Sequence, residues 1–152
     1  MPGYSGTPLP KKLGIKPGLR VQLVKAPAEV RGELSEALAE CSILKGAQTL
    51  DFAMVFTKSR GDLIGEFQRL EKMLSPAGML WVSWPKKSSG LATDVDEHTV
   101  REIGLRIGLV DVKVCAVTEV WSGLKFVRRI RDRKIGWPRT NQRGRQGSSL
   151  AG

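Results

Sequence analysis

Segments typical of strands alternate with segments typical of helices, and this alternation limits the possible folds more than any other feature. Apolar or alternating runs predict strands at 19–24, 52–56 and 79–84. Between them, apolar residues recur at helical spacing, first as Val30, Leu34, Leu38 and Cys41, then as Leu63, Phe67, Leu70 and Leu74, and last as Val100, Ile103 and Ile107. Two final strands, at about 110–120 and 124–130, are expected to join in a tight hairpin at Ser122-Gly123.

This order of elements predicts an α/β fold. We expect a Rossmann-like three-layer sandwich whose sheet is mostly parallel, with an antiparallel hairpin at its C-terminal end. The strands beginning at Leu19, Phe52 and Met79 should be parallel. Residues 42–49 are too few for a further strand–helix pair.

Capping signals place the helix ends. Ser59 followed by Asp62 marks one helix start, and Pro76 with Gly78 ends that helix. The next helix is expected to open at Asp94, with Glu97 at the capping-box position.

The chain divides into three parts. Residues 1–18 predict an irregular N-terminal arm with one turn of helix near Leu9–Leu13, 19–130 a single α/β domain, and 131–152 a basic disordered tail. The net charge of +10 lies mostly at the end of the chain, because residues 125–152 hold nine Lys or Arg against the single acid Asp132.

Several functional classes are excluded. No apolar run approaches the roughly 18 residues that a membrane-spanning helix needs, which predicts no membrane partner. The first residues lack the layout of a secretory signal, so we expect a cytoplasmic protein in which Cys41 and Cys115 are buried free thiols. His98 is the only histidine and is expected at the surface. No metal site, cofactor or catalytic residue is predicted.

Basic loops follow three of the predicted strands. The carboxyl ends of parallel strands share one edge, where open α/β sheets bind ligands. The candidate anion-binding residues at this edge, beside the helix start at Ser59, are Lys25, Lys58, Ser59, Lys86, Lys87, Ser88 and Ser89. Trp84 is placed at the border of this pocket, whereas Trp81 and Trp121 are assigned to the core.

The tail carries a second candidate site. Arginines mixed with Gly and Gln bind phosphate backbones without reading their sequence. The candidate nucleic-acid-binding residues are Arg131, Arg133, Lys134, Arg139, Arg143 and Arg145. An acidic protein partner is the alternative for this segment.

Residues 3–130 resemble a bacterial family of unknown function, domain of unknown function 3052. The segments that carry the resemblance are Gly3–Leu9, Trp84–Lys87, Val114–Val117 and Trp121–Leu124. This resemblance implies no activity.

A more distant resemblance is to class I methyltransferases. Gly14–Val21 resembles the entry to their first strand, and Leu70–Val82 resembles the passage into their fifth. That resemblance implies a glycine-rich loop after the first strand and a carboxylate after the second, which hold the methyl donor. This chain has Val24–Glu29 without a glycine, and 42–49 without Asp or Glu.

The sequence therefore predicts a shortened methyltransferase-like domain, non-catalytic or degenerate, that binds a small anionic ligand or an acidic partner at the strand carboxyl ends. Two alternatives remain open. One is a nucleic-acid-binding protein that acts through its tail. The other is an enzyme that uses Lys86 or Lys87 on a phosphate- or carboxylate-bearing substrate.

Overall fold

A computed structural model describes residues 7–46 and 48–133. The strands are β1 (Arg20–Val24), β2 (Ser42–Ile43), β3 (Leu50–Phe56), β4 (Leu74–Pro85), β5 (Leu109–Ala116) and β6 (Trp121–Arg128). The helices are α1 (Leu9–Leu13), α2 (Ala28–Leu38), α3 (Arg60–Met73), α4 (Glu97–Ile107) and α5 (Ile130–Arg133). A single 3₁₀ turn, Lys87–Ser89, follows β4.

The strands form one six-stranded sheet in the order β2-β1-β3-β4-β6-β5. β2, β1, β3 and β4 run parallel to one another, whereas β6 is antiparallel to both β4 and β5. Helices pack on both faces of the sheet. The predicted α/β fold class, the three parallel strands and the antiparallel hairpin are confirmed.

The two faces of the sheet bury separate cores. On one face, α3 and α4 cover Val55, Leu80 and Phe126. On the other, α1 and α2 cover Phe52, Met54 and Trp81. Trp81 is fully buried, as predicted, and Trp84 faces the opposite core.

The N-terminal segment is anchored in the second core. The predicted helical turn Leu9–Leu13 is confirmed as α1, and Leu9 and Leu13 are buried. The indole N–H of Trp81 donates a hydrogen bond to the carbonyl of Leu13, at 2.9 Å. This part of the predicted arm therefore completes the covering of the sheet.

Residues 42–49 contribute a short parallel edge strand, β2, which the sequence did not predict, because the N–H groups of Ser42 and Leu44 donate to the carbonyls of Leu19 and Val21. Three local expectations were wrong. β4 begins at Leu74, so Pro76 and Gly78 lie within a strand. The α4 cap is Asp96, whose carboxylate accepts from the N–H of Thr99 at 2.8 Å.

The position of the hairpin turn is the third wrong expectation. It lies at 117–120, and Ser122 and Gly123 are residues of β6. A Cβ on Gly123 would lie 2.9 Å from Val117 and 3.2 Å from the Trp81 ring. Glycine is therefore placed there by close packing against the indole, and not by the turn.

The cysteines are free, but both are half-buried where the sequence predicted burial. Cys41 lies in the turn after α2, and its thiol donates to the carbonyl of Lys16 at 3.3 Å. Partial burial raises the pKa of the Cys115 thiol. Within the described residues, no helix has the length and apolar character needed to cross a membrane.

Candidate functional site

The parallel topology brings three loops to one edge of the sheet. β1 ends at Val24, β3 at Phe56 and β4 at Pro85, and the three strands are adjacent and parallel. The loops that contain Lys25, Lys58 and Lys86 therefore emerge side by side. The same edge holds the ligand site in open α/β sheets, so it is the candidate site here.

Lys25 follows β1 in a backbone conformation that lysine rarely adopts. Its φ is +59°, the only positive φ of a non-glycine residue in the part of the chain that the structure describes. Such a conformation costs about 1–2 kcal/mol for a residue with a Cβ, and strain of this kind gathers at functional sites. The Lys25 amino group lies 3.8 Å from the carboxylate of Asp62 in α3, and both side chains are 61% exposed.

A shallow cavity lies beside Lys25, against the first turns of α3. Its volume is about 310 Å³, and it is lined by Lys25, Gly61, Asp62, Gly65, Glu66 and Arg69. Two glycines on one face of α3 keep this space open. The cavity carries charges of both signs, so its chemistry is that of a polar, solvent-facing groove.

The start of α3 is already supplied with protein acceptors. The Ser59 hydroxyl accepts from the N–H of Asp62 at 3.3 Å, and the Thr57 hydroxyl accepts from the N–H of Ser59 at 3.1 Å. The carboxylate of Asp94 accepts from the N–H of Arg60 at 2.8 Å. The sequence placed this helix start among the anion-binding residues and assigned Asp94 to the next helix. An anion at this edge would therefore depend on lysine side chains.

The loop after β4 is joined to the loop after β3. The carbonyl of Lys58 accepts from the Thr93 hydroxyl at 2.8 Å and from the N–H of Asp94 at 3.3 Å. The Ser89 hydroxyl donates to the carbonyl of Lys86 at 2.6 Å, which closes the 3₁₀ turn. Lys87 and Ser88 are exposed on that turn, while Ser59 and Ser89 are both used in local structure.

The aromatic and histidine side chains lie elsewhere. Trp84, predicted at the border of the pocket, is only 5% exposed and packs in the core beneath α3 and α4. Trp121 is half-buried and meets Phe56 edge to face, with ring centroids 5.3 Å apart. His98 is exposed in the first turn of α4. Among the described residues, no group of three His, Cys, Asp or Glu could hold a metal ion.

Only the first two tail candidates fall within the described residues. Arg133 donates to the carbonyl of Arg128 at 2.8 Å, and Arg131 lies 3.9 Å from Asp132. Lys134, Arg139, Arg143 and Arg145 lie outside the described residues.

The loops that correspond to a methyl-donor site lie at the β1 and β2 end of this edge. After β1, the carbonyl of Ala26 accepts from the Arg31 guanidinium at 3.1 Å, and Pro27 has no N–H to offer. After β2, the amide of Gln22 donates to the carbonyls of Leu44 and Gly46, at 3.4 and 3.5 Å. This segment has a lysine, Lys45, and no carboxylate.

The fold is similar to those of several solved structures, among them two methyltransferases. The magnesium protoporphyrin IX methyltransferase of Synechocystis PCC 6803 with bound SAM superposes with a TM-score of 0.52 at 11% identity, over 80% of this chain and 74% of that chain. The chain has a methyltransferase-like fold. LepI in complex with SAM gives 0.53 at 11% identity, over 81% of this chain and 47% of that chain. The mitomycin 7-O-methyltransferase MmcR superposes with a TM-score of 0.51 at 13% identity, over 77% of this chain and 50% of that chain.

No protein-family model matches the chain, and no curated protein sequence is similar to it. The resemblance to domain of unknown function 3052 therefore has no support beyond the quoted segments. At these identities the structural comparisons describe the fold alone.

Proposed function

We propose that this methyltransferase-like domain binds an anionic ligand at the carboxyl ends of β1, β3 and β4 and transfers no methyl group. The observation that carries the proposal is Lys25, which stands directly after β1 with a φ of +59°. In class I methyltransferases a glycine-rich loop at this point lets the methyl donor approach the backbone closely. A lysine there adds a side chain and a positive charge.

The donor set does not suit S-adenosylmethionine. Its sulfonium is a cation, and the positive charge of Lys25 at this edge would disfavour it. Its ribose hydroxyls need an acceptor after β2, where the chain has Leu44 and Lys45.

The same residues favour an anion. Lys25, Lys58, Lys86 and Lys87 come from three segments that the parallel sheet brings to one edge. Within the described residues, Lys58, Lys86 and Lys87 form no ion pair with a carboxylate. An anion among them would reduce their mutual repulsion and gain charge-assisted hydrogen bonds.

Two measurements test this proposal. Calorimetry with S-adenosylmethionine should show no saturable binding. Melting curves across a phosphate series at constant ionic strength should show stabilisation of the wild type by mass action. In Lys86→Ala/Lys87→Ala that gain should be clearly smaller.

The matched control is Lys72→Ala/Arg106→Ala, which removes the same charge from exposed positions on α3 and α4. It should keep the full gain. A micromolar constant for S-adenosylmethionine, or an equal phosphate gain in both double variants, would contradict the proposal.

A second candidate function is nucleic-acid binding through the C-terminal segment. The observation that favours it is the nine basic residues against one acid in 125–152. Deletion of 134–152, which leaves α5 intact, should weaken binding to single-stranded DNA and reduce the dependence of affinity on salt. Unchanged affinity and salt dependence would remove this candidate.

A further inference from the structure

Lysines from α1, β5 and β6 converge on the face of the hairpin that α1 covers, away from the carboxyl edge. Lys113 and Lys125 are directly opposite each other in the β5–β6 register. The amino group of Lys125 lies 4.0 Å from the position a Cβ would take on Gly14, at the end of α1. The amino group of Lys113 donates to the carbonyl of Lys12 at 3.2 Å, and that of Lys12 donates to the carbonyl of Ala116 at 2.9 Å.

This arrangement is electrostatically unfavourable for the protein alone. Like charges directly opposite on neighbouring strands destabilise a sheet. Among the described residues, neither Lys113 nor Lys125 forms an ion pair with a carboxylate. The pKa of Lys125 is lowered by its partial burial and then by the charges of Lys113 and Lys16.

Helix capping explains only part of the cluster. Lys113 bonds the carbonyl of Lys12 in the last turn of α1, where cations are favoured, whereas Lys12 bonds the carbonyl of Ala116 in β5. Lys125 makes no such bond to a described residue, although it is half-buried and lies near the charges of Lys113 and Lys16. Lys16 also lines a groove with Glu33, Glu36 and Glu40, so it lies at the margin of the lysine cluster.

We propose that Lys113 and Lys125, flanked by Lys12 and Lys16, bind a phosphate group on this face. Lysine amino groups bind phosphate as point charges, and a phosphate dianion offers oxygen acceptors in several directions. Here the amino groups come from one helix and two strands, α1, β5 and β6. The surface lies on a face of the sheet, so it does not depend on the function proposed for the edge.

Residue-specific NMR separates this surface from the edge. The full chain, labelled with ¹⁵N, would be titrated with pyrophosphate and, separately, with an oligothymidylate of about 12 nucleotides. Saturable amide shifts should centre on 12–16, 113–115 and 123–126.

The main variant is Lys113→Glu. It places a carboxylate opposite Lys125, so the fold should be retained or stabilised while phosphate binding weakens by at least about tenfold. Lys125→Gln should weaken binding similarly and keeps most of the side-chain volume. Lys72→Ala/Arg106→Ala is the matched control and should bind as the wild type does.

The two titrations identify the source of the phosphate group. Pyrophosphate binding that an oligonucleotide does not exceed supports a small phosphate-bearing ligand. Tighter oligonucleotide binding at the same residues, with strong salt dependence, supports a nucleic-acid backbone. Shifts that do not saturate at these residues, or wild-type affinity in Lys113→Glu, would overturn the proposal.

Discussion

Basic side chains at the amino end of the parallel strands are paired with buried or partly buried carboxylates, whereas those at the carboxyl end are mostly unpaired among the described residues. At the amino end, Arg20 makes two bonds of 2.9 Å to the carboxylate of Asp51, and Arg128, only 3% exposed, makes a 2.7 Å bond to Glu71. At the carboxyl end, the one described ion pair of a candidate lysine is Lys25 with Asp62, at 3.8 Å and largely in solvent. Arginine forks paired with acids hold the fold together, whereas the lysines of the other end remain available to water or a ligand.

The strongest test of this contrast is Arg128. Its guanidinium also donates to the carbonyls of Glu71 and Leu74, at 2.7 and 2.6 Å, and so closes the end of α3. Replacing it with Met should lower the free energy of unfolding by about 3–5 kcal/mol, because Glu71 and these carbonyls lose a buried partner. Urea unfolding measures the change.

The neighbouring Arg129 is the matched control. Among the described residues, its guanidinium makes a single long contact of 3.5 Å, to the carbonyl of Leu105. Arg129→Met should cost less than about 1 kcal/mol. Equal losses in the two variants would mean that Arg128 acts through general charge and not through its network.

A smaller effect is expected at Asp51. Hydrogen bonds from Arg20, and a further one from Ser75, hold the pKa of this carboxyl below its ordinary value of 3.8. Its folded pKa is depressed, so its contribution is present above the unfolded pKa and is lost as the pH falls through the folded one. Asp51→Asn should cost about 1 kcal/mol at pH 7, since the pair is partly exposed.

Stability measured from pH 7 down to pH 2 checks this prediction. The difference between the wild type and Asp51→Asn should shrink at the acid end. If the difference in unfolding free energy between the wild type and Asp51→Asn stayed constant with pH, the effect of the substitution would come from packing and not from charge.

At the carboxyl end the apo protein should tolerate loss of charge. Lys86→Ala/Lys87→Ala should change the free energy of unfolding by less than about 0.5 kcal/mol without an anion, because neither side chain has a described carboxylate partner within 4.0 Å. Thermal unfolding in a buffer free of phosphate and sulfate measures it. A large loss would show that these lysines are structural, as Arg128 is.

The smallest effect belongs to Lys125. The folded-state pKa of this lysine is below the ordinary value of 10.5, so the unfolded chain binds more protons in the window between the two. The wild type should therefore gain stability relative to Lys125→Gln as the pH rises through that window, by a few tenths of a kcal/mol. A loss with rising pH would indicate an acidic partner for Lys125.

The long apolar periods predicted the fold, whereas the short edge strand β2 was missed. The parallel strands and α1 follow from runs such as Phe52–Phe56 and from the prolines around Leu9. β2 has two exposed residues and therefore no period to detect. Gly123 was predicted to be a turn residue because the packing that requires a glycine there is not visible in the sequence. That packing is against Trp81, which is 42 residues away along the chain.

The candidate site was predictable in outline only. Convergence of Lys25, Lys58 and Lys86 at one edge follows from parallel strands alone. The Asp94 carboxylate accepts from the N–H of Arg60 because of the path of the loop after β4. The spacing of apolar residues does not predict the path of a loop. Two aspartates, Asp94 and Asp96, precede α4, and only the structure shows which helix each one caps.

The hydrogen bond from Trp81 to Leu13 makes this indole an intrinsic fluorescence probe of the docking of α1. Release of α1 would break the bond at Nε1 and admit water to a ring that is now fully buried, so its emission would move to longer wavelength. With Trp84, Trp121 and Trp137 replaced by Phe, the remaining fluorophore would follow docking of 9–13 in real time. Ligands or crowding agents that loosen or tighten this one helix could then be ranked from a single spectrum.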